Sequence, residues 1–123
     1  MVVDDSAVSL KLAVFVLGGI GCQAHGVSSA ALAFEELQRN KYDMILMDLY
    51  MPEMNGFEAA AFIQNGGAGG ANSKLPIIAV SGTDEPEERK KSRSAGMIDF
   101  VPKPFTEVTI KPLLSKYCPD TSM

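Results

Sequence analysis

Five polar side chains follow four apolar runs of the sequence, and their types suit the handling of a phosphoryl group. The runs end at Asp4 and Asp5, at Asp48, at Ser81 and, two residues beyond the last run, at Lys103. Each position alone is a weak signal, because loop residues are usually polar. Three carboxylates, one hydroxyl and one ammonium group at equivalent positions form a much stronger signal.

The carboxylates require a counter-charge. Three carboxylates roughly 5 Å apart repel one another by about 3 kcal/mol per pair at an effective dielectric of about 20. Hard oxygen ligands with open coordination positions suit Mg²⁺, which retains water and accepts phosphate oxygens. An ammonium and a hydroxyl beside this ion would hold the remaining phosphoryl oxygens. A carboxylate can also act as a nucleophile and form an acyl phosphate, and Asp48 is the candidate because it ends the central strand.

Apolar runs and helical patterns alternate along the chain. The runs predict strands at residues 1–3, 21–25, 42–47, 75–80 and 98–101. The first helix is predicted over residues 7–17, where apolar residues repeat at i, i+3, i+4 and i+7. Five strands and five helices in strict alternation predict an α/β fold, with a parallel sheet covered on both faces. Such sheets place their sites beyond the carboxyl ends of the strands, where the five polar residues lie.

Two helices carry further local signals. Asp84 with Glu87 resembles a capping box, and Pro86 fits the first turn of the fourth helix. The charged run from Glu85 to Arg93 predicts a solvated helix face rather than a nucleic-acid patch. In the last helix, Pro112 deletes a hydrogen bond and predicts a kink or a late helix start.

Composition and charge limit the functional classes. The length of 123 residues favours one domain. A formal charge of −4 argues against nucleic acid as a direct partner, and no apolar run is long enough for a membrane span. Cys22 and Cys118 form no CxxC motif and favour a reducing, intracellular setting. The single histidine, His25, lacks a helical histidine motif and is predicted to be structural or solvated.

The sequence resembles the response-regulator receiver domains of two-component phosphorelays over nearly its whole length. The resemblance rests on the segments 2–5 (VVDD), 47–56 (MDLYMPEMNG) and 79–82 (AVSG), and on Lys103–Pro104. It implies a flavodoxin-like, doubly wound five-stranded parallel sheet in the order 2-1-3-4-5, with the receiver domain over residues 1–118 and a short tail over 119–123. A less specific match, over residues 87–97, is to plant receivers, either stand-alone regulators of the C type or receivers of hybrid kinases.

The resemblance also assigns roles to individual residues. It implies that Asp48 is the phosphoacceptor, that Ser81 and Lys103 assist the transfer, and that Phe100 is the switch aromatic that moves inward on activation. The Mg²⁺ ligands it implies are the carboxylates of Asp4, Asp5 and Asp48 and the backbone carbonyl of Tyr50. The equivalent Lys–Pro bond of the family is cis, so Lys103–Pro104 is expected to be a cis peptide.

The implied function is that of a switch. The domain would accept a phosphoryl group with Mg²⁺ from a histidine-containing phosphotransfer protein or a histidine kinase, and would then change a protein-binding surface. It would catalyse only its own phosphoryl transfer and autodephosphorylation, and so would not be an enzyme in the usual sense. We expect an intracellular protein, cytoplasmic or nuclear, that is a monomer or weak dimer with no nucleic-acid or membrane partner.

Three other functions fit parts of the pattern. A phosphatase of the haloacid-dehalogenase type also uses an Asp nucleophile and Mg²⁺, but typically has a second Asp two residues later, where this chain has Tyr50. A degenerate receiver would act only as a binding module, although such domains usually lose one of the five site residues. A receiver that drains phosphate from a phosphotransfer protein shares all the chemistry of the switch, and the sequence does not separate the two.

Overall fold

The structure, a computed structural model, describes residues 1–83 and 85–117. The five strands are β1 (Val2–Val3), β2 (Gly26–Val27), β3 (Ile45–Asp48), β4 (Ile77–Ser81) and β5 (Asp99–Pro102). The five α-helices are α1 (Ala7–Gly19), α2 (Ala30–Arg39), α3 (Gly56–Gln64), α4 (Pro86–Ser94) and α5 (Glu107–Tyr117). A short 3-10 helix at Gly70–Asn72 precedes β4.

The strands form one parallel sheet in the order β2-β1-β3-β4-β5, as the sequence predicted. β3 lies at the centre and is buried along its whole length. One apolar cluster packs the sheet against α1 and α5, and includes Leu17, Leu46, Ile78 and Ile110. A second cluster packs the opposite face against α2 and α3. Because both faces are covered, the sheet residues read as continuous apolar runs, and the carboxyl ends of the strands remain as the polar edge.

The predicted position of the second strand was wrong. Residues 21–25 are not a strand, and β2 instead comprises Gly26 and Val27, which pair with Val2 and Val3. Gly21 has a φ of +89°, and its backbone N–H bonds back to Gly18 in the turn that ends α1. The chain therefore needs the residues after Gly21 to reach the sheet, and a strand of two residues leaves almost no periodic signal.

The first and last helices differ from expectation at one end each. α1 begins after Ser6, whose hydroxyl accepts from the backbone N–H of Ser9, and it continues two residues past the predicted end at Leu17. α5 starts at Glu107 and runs through Pro112, so the late start was wrong. Pro112 has no backbone N–H to donate to the carbonyl of Val108, four residues earlier. Both residues are exposed, so water can reach that carbonyl.

The solvated face predicted for the charged residues of α4 is wrong at Glu88. Pro86 begins the helix as expected, and Glu85 and Glu87 are exposed. Glu88, by contrast, is only 8% exposed. Asp84, the proposed capping residue, lies outside the described residues, as do Cys118 and the tail at 119–123. The domain boundary at residue 118 therefore stays a prediction.

Candidate functional site

The three acidic residues meet at the carboxyl edge of the sheet. Asp48 is the last residue of β3, and Asp4 and Asp5 directly follow β1, the neighbouring strand. One carboxylate oxygen from each of the three residues lies within 4.8 Å of the others. Asp4 and Asp48 are buried, whereas Asp5 is exposed. The structure thus brings together the acidic cluster that the strand ends predicted.

Lys103 supplies positive charge to this cluster. Its Nζ lies 2.8 Å from Oδ2 of Asp4 and 3.3 Å from Oδ1 of Asp48. Burial lowers the pKa of Lys103, but the hydrogen bond to Asp4 and the charge of Asp48 outweigh it, so the net pKa is raised. The Lys103–Pro104 peptide is cis, and the Lys103 backbone N–H donates to the carbonyl of Ser81 at 2.6 Å. The ammonium is therefore held charged between two of the three carboxylates.

Asp48 is an unusually basic carboxylate. Burial and the negative charge of Asp4 raise its pKa from 3.8 to about 6, while Lys103 and the backbone N–H of Tyr50 oppose the rise. At neutral pH the carboxylate is mostly ionised, so it can act as a nucleophile. Its raised basicity makes it a better electron-pair donor than an ordinary aspartate.

The loop after Asp48 depends on a glycine. A Cβ at Gly56 would lie 2.3 Å from the backbone oxygen of Asp48, so only glycine permits this close approach. Asn55 caps α3 by accepting from the backbone N–H of Glu58, and the Glu58 carboxylate accepts from the backbone N–H of Asn55. This capping box fixes the start of α3, directly after the loop that follows Asp48.

Ser81 lies at the predicted edge, but its hydroxyl has another partner. The residue is 1% exposed, and its Oγ donates to Oε2 of Glu88 at 3.1 Å. Tyr50 is 58% exposed, and its hydroxyl also bonds to Glu88. Phe100, the expected switch aromatic, is 9% exposed and lies under the guanidinium of Arg89, 4.9 Å from the ring centroid.

Sequence reasoning missed Glu88 as part of this neighbourhood. A signal was present, because the nine residues of α4 (PEERKKSRS) include no large apolar residue. A helix that packs on a sheet must bury one face, so polar side chains had to turn inward. Those residues are Glu88 and Ser92, four positions apart.

The donor set fits the Mg²⁺ that the sequence predicted. Mg²⁺ takes oxygen ligands at about 2.1 Å, which places opposite ligands about 4.2 Å apart. The three carboxylate oxygens already lie within 4.8 Å, and Asp5 gives the cluster an exposed side. His25, in contrast, is an exposed imidazole whose Nε2 lies 3.9 Å from Oε2 of Glu36, in agreement with a solvated role.

The raised pKa of Asp48 predicts a pH-dependent cost to folding in the absence of metal. A carboxyl with a raised folded-state pKa stabilises the fold at low pH and loses that contribution as the pH rises from about 3.8 to about 6. Asp48→Asn is neutral at every pH, so at pH 7 in EDTA it should melt a few degrees higher than wild type. The difference should narrow as the pH is lowered towards 4 in parallel thermal melts. Glu35→Gln, which removes an exposed carboxylate from α2, serves as the control, and a difference independent of pH would contradict the prediction.

Comparison with known proteins gives a consistent result. A family model described as the response regulator receiver domain matches residues 1–115. The chain is 31% identical over 120 residues to hybrid signal transduction histidine kinase L of Dictyostelium discoideum, covering 95% of this chain and 7% of that protein. It is also 31% identical over 120 residues to transcription factor SKN7 of Saccharomyces cerevisiae, covering 98% of this chain and 18% of that protein. The chain thus spans less than a fifth of the length of either relative.

Solved structures share the fold. One is the receiver domain of sensor histidine kinase PA1611 from Pseudomonas aeruginosa PAO1, which was solved with a magnesium ion in its active-site cleft. It is 28% identical to this chain with a TM-score of 0.83, and the match covers 94% of this chain and 93% of that one. Chemotaxis protein CheY4 of Vibrio cholerae superposes with a TM-score of 0.84 at 23% identity, covering 94% of each chain, which supports the fold.

Among the described residues, no helix combines the length and apolar character needed to cross a bilayer.

Proposed function

Because the chain belongs to the response regulator receiver domain family, we propose that it accepts a phosphoryl group from a partner's phosphohistidine onto Asp48. The observation that carries the proposal is the meeting of Asp4, Asp5, Asp48 and Lys103 at one edge of the sheet. The partner would be a histidine kinase or a histidine-containing phosphotransfer protein. His25, the single histidine of these 123 residues, is exposed and lies 3.9 Å from Glu36, so the donor histidine would lie outside this sequence.

The transfer requires one bond to form and one to break. An Oδ atom of Asp48 attacks phosphorus, the phosphorus–nitrogen bond to the donor imidazole breaks, and the imidazole nitrogen keeps the electron pair and takes up a proton. Asp48 is ionised at neutral pH because its raised pKa of about 6 still lies below 7. Lys103 is within reach of the same carboxylate and supplies a positive charge to the phosphoryl oxygens.

Mg²⁺ is the cofactor that this site would hold. Its ligands would be the carboxylates of Asp4, Asp5 and Asp48 and the backbone carbonyl of Tyr50. When bound, the ion would offset the negative charge that gathers on the phosphoryl oxygens. The hard oxygen donors and their spacing support this assignment.

Output would pass through Ser81 and Phe100. The new phosphoryl dianion would draw the hydroxyl of Ser81 and the ammonium of Lys103 towards Asp48. The packing of Phe100 under Arg89 would then change, and with it the surface formed by α4, β5 and α5. The equilibrium moves only as far as the phosphoryl group prefers one arrangement over the other.

We do not propose a turnover enzyme. The chain would catalyse only the phosphorylation and dephosphorylation of its own Asp48. A phosphate-draining role uses the same chemistry and would differ in the half-life of the phosphorylated form. A binding-only role is less well supported, because the site residues expected of a phosphorylatable domain are all present at this edge of the sheet.

One experiment tests the proposed function. Incubation with Mg²⁺ and acetyl phosphate should add one phosphoryl group, seen by intact mass, and EDTA should prevent the addition. Amide chemical shifts around Phe100 should change in the same sample. Absence of added mass at saturating acetyl phosphate would count against phosphoryl acceptance, and an unchanged Phe100 region in a phosphorylated sample would count against the proposed output.

A further inference from the structure

Glu88 is a buried carboxylate that the phosphoryl-transfer chemistry does not use. It lies in the first turn of α4, is 8% exposed, and accepts hydrogen bonds from three hydroxyl groups. The donors are Ser81 at 3.1 Å, Thr83 and Tyr50. These bonds, that of Thr83 first, hold the pKa of Glu88 below its usual value, so the group is a charged acceptor at neutral pH.

The bond to Glu88 commits the only hydroxyl proton of Ser81. The Oγ of Ser81 also accepts the backbone N–H of Thr83 at 3.2 Å, so its donor and one acceptor position are both in use. Ser81 is 1% exposed, and water is not an alternative partner. A phosphoryl oxygen on Asp48 can receive that proton only after the bond to Glu88 breaks.

Tyr50 is tied to the same carboxylate. Its backbone N–H donates to Asp48, while its hydroxyl reaches across to Glu88 on α4. Its ring also packs edge-on against Phe57, with 6.2 Å between the ring centroids. Glu88 therefore connects the loop after β3 with the loop after β4, the two segments that border the phosphorylation site.

We propose that Glu88 is a positioning residue that holds Ser81 in the unphosphorylated arrangement and so opposes activation. The proposal rests on the proposed function, since it concerns the cost of converting this site to its phosphorylated form. Hydrogen bonds to a charged acceptor are among the stronger ones in proteins. The Glu88 carboxylate and the phosphoryl oxygens are both anionic acceptors, and they would compete for the one hydroxyl of Ser81. After the bond from Ser81 breaks, Thr83 and Tyr50 still donate hydrogen bonds to Glu88. The buried carboxylate of Glu88 therefore keeps two hydrogen-bond donors.

The competing explanation is that Glu88 serves only the stability of α4. An acidic residue in the first turn interacts favourably with the helix dipole wherever its side chain points. Glu87 offers a matched control, because it is in the same turn with the same charge but is exposed. The dipole explanation predicts similar effects for both residues, whereas the positioning role predicts an effect at Glu88 alone, and only while Ser81 is present.

The test uses beryllofluoride with Mg²⁺, which mimics a phosphoryl group on a carboxylate. Glu88→Ala should bind the mimic about tenfold more tightly than wild type, equivalent to about 1.4 kcal/mol. The reason is that no hydrogen bond between Ser81 and residue 88 has to break when the mimic binds to the variant. Glu88→Gln should show a smaller gain, since a neutral amide oxygen is a weaker acceptor, and it provides the measurement if Glu88→Ala does not fold. Glu87→Gln should bind like wild type. In a Ser81→Ala background, Glu88→Ala should give no gain.

Each other result overturns the proposal. Equal or weaker binding by folded Glu88 variants would show that Glu88 does not oppose activation. A gain that persists in the Ser81→Ala background would show that the effect does not pass through Ser81, and an equal gain in Glu87→Gln would assign it to helix charge. If wild type itself does not bind beryllofluoride, the proposed function fails first, and the positioning role fails with it.

Discussion

Asp48→Asn is expected to reduce phosphorylation from acetyl phosphate by at least about a thousandfold, because an amide oxygen is a poor nucleophile towards phosphorus. The substitution is nearly isosteric, so the fold should be retained. Relief of the repulsion with Asp4, which helps to raise the pKa of Asp48, should even favour folding at neutral pH. Intact mass after incubation with Mg²⁺ and acetyl phosphate measures the loss directly.

The control for this variant is Asp43→Asn. Asp43 is exposed and lies just before β3, at the end opposite to Asp48, so the two variants make the same chemical change at opposite ends of β3. Asp43→Asn should be phosphorylated at the wild-type rate. Full phosphorylation of Asp48→Asn would mean that another residue is the acceptor, and fragment masses would locate it.

The site was largely predictable from sequence because parallel strands share one carboxyl edge. Once Asp4, Asp48 and Ser81 were placed at strand ends, their proximity followed from the topology of the sheet. β3 and β4 were recognised readily, because strands buried on both faces are continuous apolar runs. β2 was misplaced because two residues that pair beside a turn carry no period.

The orientation of polar side chains within that edge was not predictable. Ser81 was expected to serve Asp48, yet its hydroxyl donates to Glu88. That choice depends on how α4 packs, and the charges of the helix suggested a solvated surface. The hydrogen-bond partner of a hydroxyl depends on the tertiary contacts around it. Residue spacing predicts only the edge of the sheet on which the hydroxyl lies. The sequence therefore located the cluster of Asp4, Asp5, Asp48 and Lys103, but not the hydrogen bonds that Ser81 makes beside it.

Asp5→Ala should separate the metal site from the rest of the fold, because Asp5 is the exposed member of the acidic cluster. Lys103 contacts the other two carboxylates, which keep their ammonium partner in the variant. In wild type, 10 mM Mg²⁺ acting on a site with a dissociation constant of about 1 mM should stabilise the fold by about 1.4 kcal/mol, or about 5 °C in melting temperature. Asp5→Ala should lose most of this shift, and its phosphorylation by acetyl phosphate should fall about a hundredfold.

The melting temperature of Asp5→Ala without metal provides a second comparison. Without metal, removing one of three clustered carboxylates relieves repulsion, so Asp5→Ala should melt at or slightly above the wild-type temperature in EDTA. A variant that was merely damaged would melt lower both with and without Mg²⁺. Glu35→Gln, which removes one exposed negative charge from α2, should keep the full Mg²⁺ shift. An equal Mg²⁺ shift in Asp5→Ala and wild type would show that the ion binds elsewhere, since a site built on the three carboxylates must weaken when one of them is lost.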